Sequence, residues 1–389
     1  MKKIDQVSIR QQNILRIFEI LCDKSPITRQ EAAEGTGLSL MSVSNLVEQL
    51  TRLEVLSFTV APPKECAGER RSAGRKAELI SLNQTRHTWL IFDLTDEFFR
   101  LTAFSLGLTT LLSISAYSGD LQGDYLHNLK SFLREAREKT AALLKNRQIL
   151  GVAIVAPGPY DISGDTITNQ RLPALNSIHI KELFHEVFGA YDYYVDEDVK
   201  FAVRAFLPLC AKEAAEVLFY LYVGEGVGGA AIHSENVLRG QNAAAGDVGQ
   251  LRTGGHTYES LLSLRVFAAA CGLDYRPAIS EEALLANIRQ FAQASSKKYQ
   301  CVLMENARIV GKMLMAVVWM LDPMVIMIDC AYAQPMQAAF LAAVDDSLAQ
   351  ALSSAHLKRP RLELVSGKMN SVAFGAAKVL CREWVERVT

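Results

Sequence analysis

The strongest constraint on the fold is a strand–helix pattern that occurs twice after Asn83. In the first cycle, "HTWLIFDL", "FFRLTAFSL" and "TLLSISAYS" look like three consecutive strands with tight turns, and an amphipathic helix follows over about 124–147. The second cycle starts at residue 217 with "VLFYLYVG" and "GGAAIHS", two strands joined by a glycine-rich turn, and the pattern then predicts helices over about 258–271, 281–296 and 299–321. Two such cycles predict two α/β lobes with a cleft between them. Ligand sites in such sheets gather at the carboxyl ends of the strands, where "PGP", "DED" and "GEGVGG" lie.

Length and composition indicate a globular chain of two or three domains. The 389 residues include seven cysteines without any Cys-x-x-Cys pair, which argues against a disulfide framework and a cysteine zinc site. The start "MKKIDQVSIRQQN" lacks the apolar core of a signal peptide. The most apolar run, over 313–328, is interrupted by Asp322-Pro323 and predicts a buried helix and a buried strand. We therefore expect a cytoplasmic protein without membrane contact.

The first 83 residues carry the pattern of a helix-turn-helix. An apolar helix face over 14–21 is followed by Thr28 and Glu31, which form the capping box of a second helix. Gly37 marks the exit from that helix, and Ser39 caps a third helix, "LMSVSNLVEQLTRL". Two short helices around a glycine-containing turn predict a helix-turn-helix motif.

After the third helix, "VLSFTVA" and "KAELISLN" predict two strands joined by a wing-like loop. Residues 1–90 hold 13 Lys and Arg against 10 Asp and Glu, so this end carries about +3 and the remainder about −4. We predict DNA binding, and the alternative is a three-helix interaction module with a solvated charged loop. The predicted DNA-binding residues are Met41, Ser42, Asn45, Gln49 and Arg52 on the outward face of the third helix and Arg70, Arg71, Arg75 and Lys76 in the loop.

Several motifs then occur in a fixed order along the chain. They are Gly74-Arg75 before the first sheet strand, "GVAIVAPGPYDISGD", an acidic strand end at Asp198, "GEGVGGAAIH" and "AGDVGQ". With the winged helix, they resemble the ROK family of repressors, open reading frames and kinases, in its repressor branch of NagC/Mlc/XylR-like regulators. The resemblance covers nearly the whole chain. It implies a two-lobed actin-like ATPase (ribonuclease-H-like) fold, a sugar or sugar phosphate in the cleft, and a homodimer or homotetramer on operator DNA.

With the strand pattern, the resemblance divides the chain into three parts. A winged helix-turn-helix DNA-binding domain spans 1–83, and a first α/β lobe spans 84–198 and is closed by the C-terminal helix 370–389. A second α/β lobe with the sugar and oligomerisation elements spans 199–369. This organisation implies a sugar-responsive transcriptional regulator that represses genes of carbohydrate uptake or catabolism.

The nucleotide-binding motifs of the family's kinases are altered in this chain. Such kinases hold ATP on two glycine-bearing hairpins and a Gly-Gly turn, because backbone N–H groups must approach phosphate oxygens without a Cβ in the way. Here the first hairpin has no glycine and carries Asp93, Asp96 and Glu97. Glu225 stands within the second hairpin, and Asp329-Cys330 replace the glycine pair. Because these anions would repel a triphosphate, we predict no ATP cofactor and no catalytic residue.

Candidate sugar-binding residues lie first around the acidic strand end. The resemblance places Asp198 on the family's sugar-contacting aspartate, which is the catalytic base in its kinases, and Glu197 where the family usually shows asparagine. Asn169 and Asn176 are candidate hydroxyl partners from the adjoining loop. Asparagines in polar loops are, however, more often turn formers.

The stretch "AAAGDVGQLRTGGHTYES", residues 243–260, matches the other half of the family's sugar site. The family shows Glu-x-Gly-His there, then a cysteine-rich zinc loop that ends in Glu. Here Asp247 and Gln250 replace the Glu and the His, Glu259 matches the closing acid, and no cysteine is present. A structural zinc needs four ligands, preferentially thiolate and imidazole, and His256 is the one good candidate. We therefore expect no zinc and an altered sugar site.

Two alternative functions stay open. The chain could be a ROK-type sugar kinase with a fused DNA-binding head, in which case it phosphorylates a hexose and Asp198→Asn abolishes this activity. It could also be a DNA-binding, oligomerising regulator that has lost sugar sensing or that answers to a protein partner, because its Glu-x-Gly-His motif is degraded. A cleft filled by protein side chains would favour that last reading.

Overall fold

A computed structural model gives the fold of most of the chain. The predicted wing loop, with Arg70, Arg71, Arg75 and Lys76, lies outside the described residues, as do Asp96 and Glu97. Among the residues described, no helix is both long and apolar enough to cross a membrane. The structure describes residues 6–60, 78–95, 98–119, 124–169, 172–176, 178–207, 216–233, 236–273, 279, 281–353, 358–365 and 368–389.

The N-terminal domain is a three-helix unit closed by two antiparallel strands. Both hydrogen bonds of the predicted capping box are present between Thr28 and Glu31, Gly37 adopts a left-handed φ of 69°, and Ser39 caps the third helix. The predicted apolar helix faces are buried, so the helix-turn-helix is confirmed. The elements are α1 (Gln6–Lys24), α2 (Arg29–Thr36), α3 (Leu40–Arg52), β1 (Leu56–Val60) and β2 (Glu78–Leu82).

The first lobe is a five-stranded sheet in the order β5-β4-β3-β6-β9. Strands β3, β4 and β5 are antiparallel, whereas β3, β6 and β9 run parallel. The lobe contains β3 (His87–Asp93), β4 (Phe98–Ser105), β5 (Thr110–Tyr117), α4 (Tyr125–Leu144), β6 (Gln148–Ala156), β7 (Tyr160–Asp161), β8 (Thr166–Ile167), α5 (Ile180–Val187), β9 (Tyr193–Glu197) and α6 (Asp198–Ala205).

The second lobe repeats this topology with the order β12-β11-β10-β15-β16. Strands β10, β15 and β16 run parallel, and β11 is antiparallel to β10. The remaining elements are β10 (Val217–Val223), β11 (Val227–His233), β12 (Asn236–Val237), β13 (Arg252–Thr253), β14 (His256–Thr257), α7 (Tyr258–Leu262), α8 (Leu264–Cys271), α9 (Glu281–Ala294), α10 (Ser296–Leu321), β15 (Val325–Cys330), α11 (Gln337–Ala351), β16 (Arg361–Val365) and α12 (Lys368–Val388).

The C-terminal helix α12 joins the first lobe to the N-terminal domain. It packs on α6 and β6, and a Cβ built on Gly375 would lie 1.8 Å from the Phe201 carbonyl oxygen, so the α6–α12 contact requires glycine there. On another side, the Trp384 ring meets Phe18 of α1 edge-to-face, with ring centroids 5.6 Å apart. One apolar cluster therefore runs from the helix-turn-helix into the first lobe.

The predicted single helix over 258–271 is wrong, because two helices, α7 and α8, replace it. Ser263 takes an extended conformation with ψ of 153° between them. The Leu264 amide then donates to the Gly224 carbonyl oxygen at 2.6 Å. This long-range bond to the β10–β11 turn interrupts the helical ladder, and local periodicity carries no sign of it.

Candidate ligand cleft and DNA-binding surface

A cleft of about 720 Å³ lies between the lobes. The first lobe contributes the Pro157–Gly158–Pro159 turn and the start of α6, and the second contributes the β10–β11 turn and the loop before α7. Five of the six predicted sugar-binding residues line it. They are Asn169, Asp198, Asp247, Gln250 and Glu259.

Asn176, the sixth predicted residue, does not line this cleft. Its Oδ1 accepts a hydrogen bond of 2.8 Å from the Asn169 backbone N–H. The Asn169 side chain in turn donates to the Gly158 carbonyl oxygen at 2.7 Å and accepts from the Leu172 N–H at 3.0 Å. Asn176 thus supports the loop behind Asn169, which is the turn-forming role of asparagine.

Strand β9 ends in two buried acids just before Asp198. Asp196 is fully buried and accepts a bidentate contact from Arg239 at 2.9 and 2.6 Å, and a third bond of 2.9 Å from Arg204. Arg204 belongs to α6, whereas Arg239 follows β12 in the second lobe. The Arg239 contact therefore connects the carboxyl end of β9 to the second lobe by charge-assisted hydrogen bonds.

Glu197 and Lys200 form a second buried contact, the floor pair. The Lys200 ammonium lies 2.5 Å from Glu197 Oε1 and also donates to the Ala243 carbonyl oxygen of the second lobe. Glu197 accepts from the Tyr160 N–H at 3.0 Å and so fixes the turn after Pro159. Burial raises the pKa of Glu197, and the Lys200 charge opposes this shift. The floor pair therefore supports both walls of the cleft beneath Asp198.

The loop with Asp247 rests directly on β11. A Cβ on Gly246, whose φ is 97°, would lie 2.4 Å from the Gly229 carbonyl oxygen, and a Cβ on Gly249 would lie 1.9 Å from that of Val227. The glycines of "AGDVGQ" are thus needed for this close approach. It holds Asp247 at the cleft, where burial and the Glu259 charge raise its pKa to about 6. Gln250 donates to Glu259 at 3.2 Å, so these two side chains meet at the cleft.

The other end of the cleft is formed by the β10–β11 turn and α8. Here Glu225 is bound by the Arg265 guanidinium, with Nε 2.9 Å from Oε2. We call this contact the hairpin pair. Asp93 of the first hairpin accepts from Thr95 N–H and Oγ1, and Arg100 approaches it to 4.0 Å. Two of the acids expected to repel a triphosphate, Asp93 and Glu225, therefore have partners that weaken the repulsion, so the loss of glycine from the first hairpin is the stronger obstacle to ATP binding.

The residues that replace the family's glycine pair are buried. Asp329 accepts from the Tyr220 hydroxyl at 3.1 Å. Two residues beyond Cys330, the Tyr332 ring stacks on Phe267 at 4.1 Å between centroids, and its hydroxyl donates to the Leu262 carbonyl oxygen at 2.9 Å. Large side chains therefore fill the turn where the resemblance would place an adenosine.

The loop that matches the family's zinc loop is a short hairpin. Strands β13 and β14 pair through Arg252 with Thr257 and Thr253 with His256, and His256 is exposed. Within the described parts of the chain, no group of three His, Cys, Asp or Glu side chains could hold a metal ion. The backbone pairing of β13 with β14 closes this hairpin.

The predicted DNA-binding residues of α3 form one outward surface. Met41 is 76% exposed, Asn45 and Arg52 are also exposed, and Ser42 and Gln49 are half-buried. Three of these side chains already have contacts. The Ser42 hydroxyl meets that of Ser39 at 2.8 Å, Gln49 accepts from the Arg10 guanidinium, and Arg52 pairs with Glu48 at 2.6 Å.

Sequence reasoning missed four cationic residues, Lys200, Arg239, Arg265 and Arg10. Glu197 and Lys200 are three residues apart at a strand–helix junction, a spacing that brings side chains together at the start of a helix and that could have revealed the pair. The partners of Arg239, Arg265 and Arg10 lie at least 39 residues away in the chain. No local signal predicts such contacts.

The chain matches a known sequence family and a named relative. A sequence model of the ROK family matches residues 124–383. A "putative xylose repressor" from Caldicellulosiruptor sp. (strain Rt8B.4) is 24% identical over 245 residues, which cover 62% of this chain and 59% of that protein. The chain therefore matches less than two thirds of that relative's length.

Solved structures show the same two-lobed architecture. A ROK family transcriptional regulator described as a homologue of the E. coli Mlc protein has a TM-score of 0.65 at 18% identity, with 98% of this chain and 97% of that chain covered. A ROK family glucokinase from Streptomyces griseus, in complex with glucose and AMPPNP, has a TM-score of 0.58 at 16% identity, with 75% and 98% covered. These likenesses confirm the predicted actin-like fold behind a helix-turn-helix domain.

Proposed function

Because the chain belongs to the ROK family, we propose that it is a DNA-binding transcriptional regulator whose response is set by a sugar. It acts as a repressor of carbohydrate uptake or catabolism genes, as a homodimer or homotetramer on operator DNA. Both the relative named for xylose repression and the Mlc-like structural neighbour support this reading. Such a regulator needs a DNA-reading surface, a ligand cleft and a physical connection between them.

The main support for this proposal is a continuous path of packed helices from the cleft to the DNA-binding domain. Helix α6 begins with Asp198 in the cleft and packs along its length on α12. Trp384 of α12 contacts Phe18 of α1 in the DNA-binding domain. A ligand that moves α6 against the second lobe therefore also moves the support of the helix-turn-helix, because packed helices shift as rigid elements.

The chemistry of the cleft favours an uncharged sugar. Ring hydroxyls need carboxylates and amides around them, and Asp198, Asp247 and Glu259 with the amides of Asn169 and Gln250 supply both. Among the described lining residues, the one cation is Arg265, and it is ion-paired with Glu225. A sugar phosphate would meet carboxylates without a free cation, which disfavours it relative to the parent sugar.

The same cleft supports binding without phosphoryl transfer. The hairpin pair occupies the glycine turn, and Tyr332 fills the turn beyond Asp329. Neither leaves the bare backbone N–H cradle that polyphosphate binding uses. We therefore propose that ATP and zinc are not cofactors and that Asp198 binds ligand rather than acting as a base.

The experiment uses the full-length chain. DNA is selected from a random duplex library, and operator binding is then followed by fluorescence anisotropy while xylose, glucose, N-acetylated sugars and the corresponding phosphates are titrated. We expect one uncharged sugar to change the operator Kd by about 5- to 150-fold, the usual range of allosteric coupling. Asp198→Asn should keep operator binding and lose this response.

Three results would contradict the proposal in different ways. Failure to select any duplex would exclude a DNA-binding regulator. Selection of an operator that no sugar affects would exclude sugar sensing and favour a regulator that answers to a protein partner. ATP-dependent phosphorylation of a hexose, lost in Asp198→Asn, would identify a kinase with a fused head.

A further inference from the structure

The outward face of α3 has no cationic side chain over its first ten residues. Between Leu40 and Gln49 there is neither Lys nor Arg, and Arg52 at the helix end is paired with Glu48. Instead, two large apolar side chains stand in solvent at the amino end of the helix, Leu40 at 49% and Met41 at 76% exposure. Their exposure leaves both side chains available for an apolar contact with a partner bound at this end of α3.

Asn45 lies one turn after Met41 on the same face. It is exposed, and its amide makes no hydrogen bond to any residue in the described part of the chain. The amide of Gln49 one turn later is different, because the Arg10 guanidinium already binds its oxygen. Asn45 is therefore the amide on this face whose donor and acceptor are both available to a ligand.

The available groups match one class of base pair. Guanine is read in the major groove by the bidentate cations of Arg or Lys, which this face lacks. Adenine is read by the bidentate amide of Asn or Gln, and the thymine methyl group by apolar side chains. The amino-terminal residues of a recognition helix are the ones that reach base edges.

We propose that α3 reads A·T base pairs, with Asn45 on the N6 and N7 edge of an adenine and Leu40 and Met41 on thymine methyl groups. This assignment rests on the proposed DNA-binding function. Arg10 and Arg52 flank this face and contact the phosphate backbone, which contributes affinity without sequence preference. The core of the DNA sequence bound by each α3 is therefore A·T-rich. The Asn45 amide and the apolar Leu40 and Met41 side chains, on two adjacent turns of the helix, select these base pairs.

The test removes single atoms from the DNA. In the best duplex selected by the full-length protein, each adenine is replaced by 7-deazaadenine, which lacks N7, and each thymine by uracil, which lacks the methyl group. We expect one adenine position to weaken wild-type binding by about 2- to 12-fold, the value of one hydrogen bond, because 7-deazaadenine keeps N6 and loses only N7. That position should have no effect in Asn45→Ala, and one or more uracil positions should have no further effect in Met41→Ala.

Gln293→Ala, which removes an exposed amide from α9 of the second lobe, is the matched control and should bind every duplex like the wild type. Selection of a half-site with G·C pairs at the protected core would overturn the inference, and so would an Asn45→Ala variant that weakens binding to all duplexes equally. Circular dichroism of each variant establishes that the head is folded. Failure to select any duplex would instead overturn the proposed function.

Discussion

The two ends of the cleft are each built around a carboxylate–cation pair, but the pairs differ in burial. In the floor pair, the Glu197 and Lys200 side chains are 10% and 1% exposed. In the hairpin pair, those of Glu225 and Arg265 are 14% and 40% exposed. The ion pair at the sugar end is thus buried next to Asp198, whereas the pair at the hairpin end is partly solvated and both of its side chains line the cleft. The difference indicates that the first pair maintains the shape of the cleft and the second changes what the cleft accepts.

The largest expected difference between the two pairs is in the free energy of unfolding that is lost when the cation of each pair is replaced. Lys200→Met leaves the Glu197 carboxylate buried without its cation, and such a loss costs about 3–5 kcal/mol in the free energy of unfolding. Arg265→Met breaks a partly exposed pair and should cost about 1 kcal/mol or less. Urea denaturation followed by tryptophan fluorescence measures both, with Trp89 and Trp384 buried near the first-lobe core.

The double variant Glu197→Gln with Lys200→Met is the control for this comparison. It removes the uncompensated charge, so it should recover a large part of the stability lost in Lys200→Met. Equal losses in Lys200→Met and Arg265→Met would show that the two pairs do not differ in the way their burial indicates.

Removal of one carboxylate charge from each end of the cleft should change the sugar Kd unequally. Glu259→Gln removes a charged acceptor at the sugar end, where a hydrogen bond to a charged group contributes about 1.5–3 kcal/mol, so the sugar Kd should rise roughly ten- to 150-fold. Glu225→Gln at the hairpin end should change the Kd for the same sugar by about twofold or less, within the small effect of an exposed pair. Isothermal titration calorimetry with the sugar that shifts operator binding decides between them. A larger effect of Glu225→Gln would place the ligand at the hairpin end.

The pH dependence of sugar binding should also come from the sugar end. Burial and the Glu259 charge raise the pKa of Asp247 to about 6, while Lys200 opposes and Asp198 adds to the shift. The ionised carboxylate accepts two hydroxyl hydrogen bonds, and at pH 5 only about a tenth of the molecules carry it, so affinity should fall up to about tenfold from pH 7.5 to pH 5. Asp247→Asn should show a flat profile in calorimetry at both pH values.

Stability changes in the opposite direction, which keeps the two effects distinguishable. Because the folded-state pKa of Asp247 lies above its unfolded value of 3.8, its contribution to stability is complete below about pH 4 and is lost as the pH rises through about 6. Weaker binding at pH 5 therefore cannot be attributed to loss of the fold through this group. A wild-type affinity that increases towards pH 5 would contradict an ionised Asp247 in sugar binding.

Elements that are set by nearby residues could be predicted from the sequence, whereas those set by distant contacts could not. The capping box at Thr28 and the strands β3 to β5 depend mainly on neighbours within a few residues, and these elements were predicted correctly. The break at Ser263 depends on the Gly224 carbonyl oxygen and was not.

Within the cleft, the predicted acids come together, but their ionic environment could not be predicted. The Arg239 contact to Asp196 spans 43 residues, and the Arg265 contact to Glu225 spans 40. Each pairing is fixed by how the lobes fold against each other, and periodicity carries no information on it. Asn176 was misplaced for a related reason, because its side chain accepts from the Asn169 backbone N–H only when the loop after β8 closes.

The smallest expected effect is that of metal removal, which tests whether the short hairpin at the sugar end is closed without an ion. Hydrogen bonds close it: Tyr258 N–H donates to the Leu251 carbonyl oxygen at 3.0 Å, Thr257 caps α7, and the left-handed Gly254 and Gly255 form the turn. Dialysis against EDTA should therefore leave the melting temperature, the operator Kd and the sugar Kd unchanged.

Structural zinc contributes on the order of 10 kcal/mol to domains that need it, so a metal-dependent loop would show a large decrease in the melting temperature and weaker binding of both operator and sugar. Restoration of any lost binding by added zinc would contradict a hairpin closed by hydrogen bonds alone.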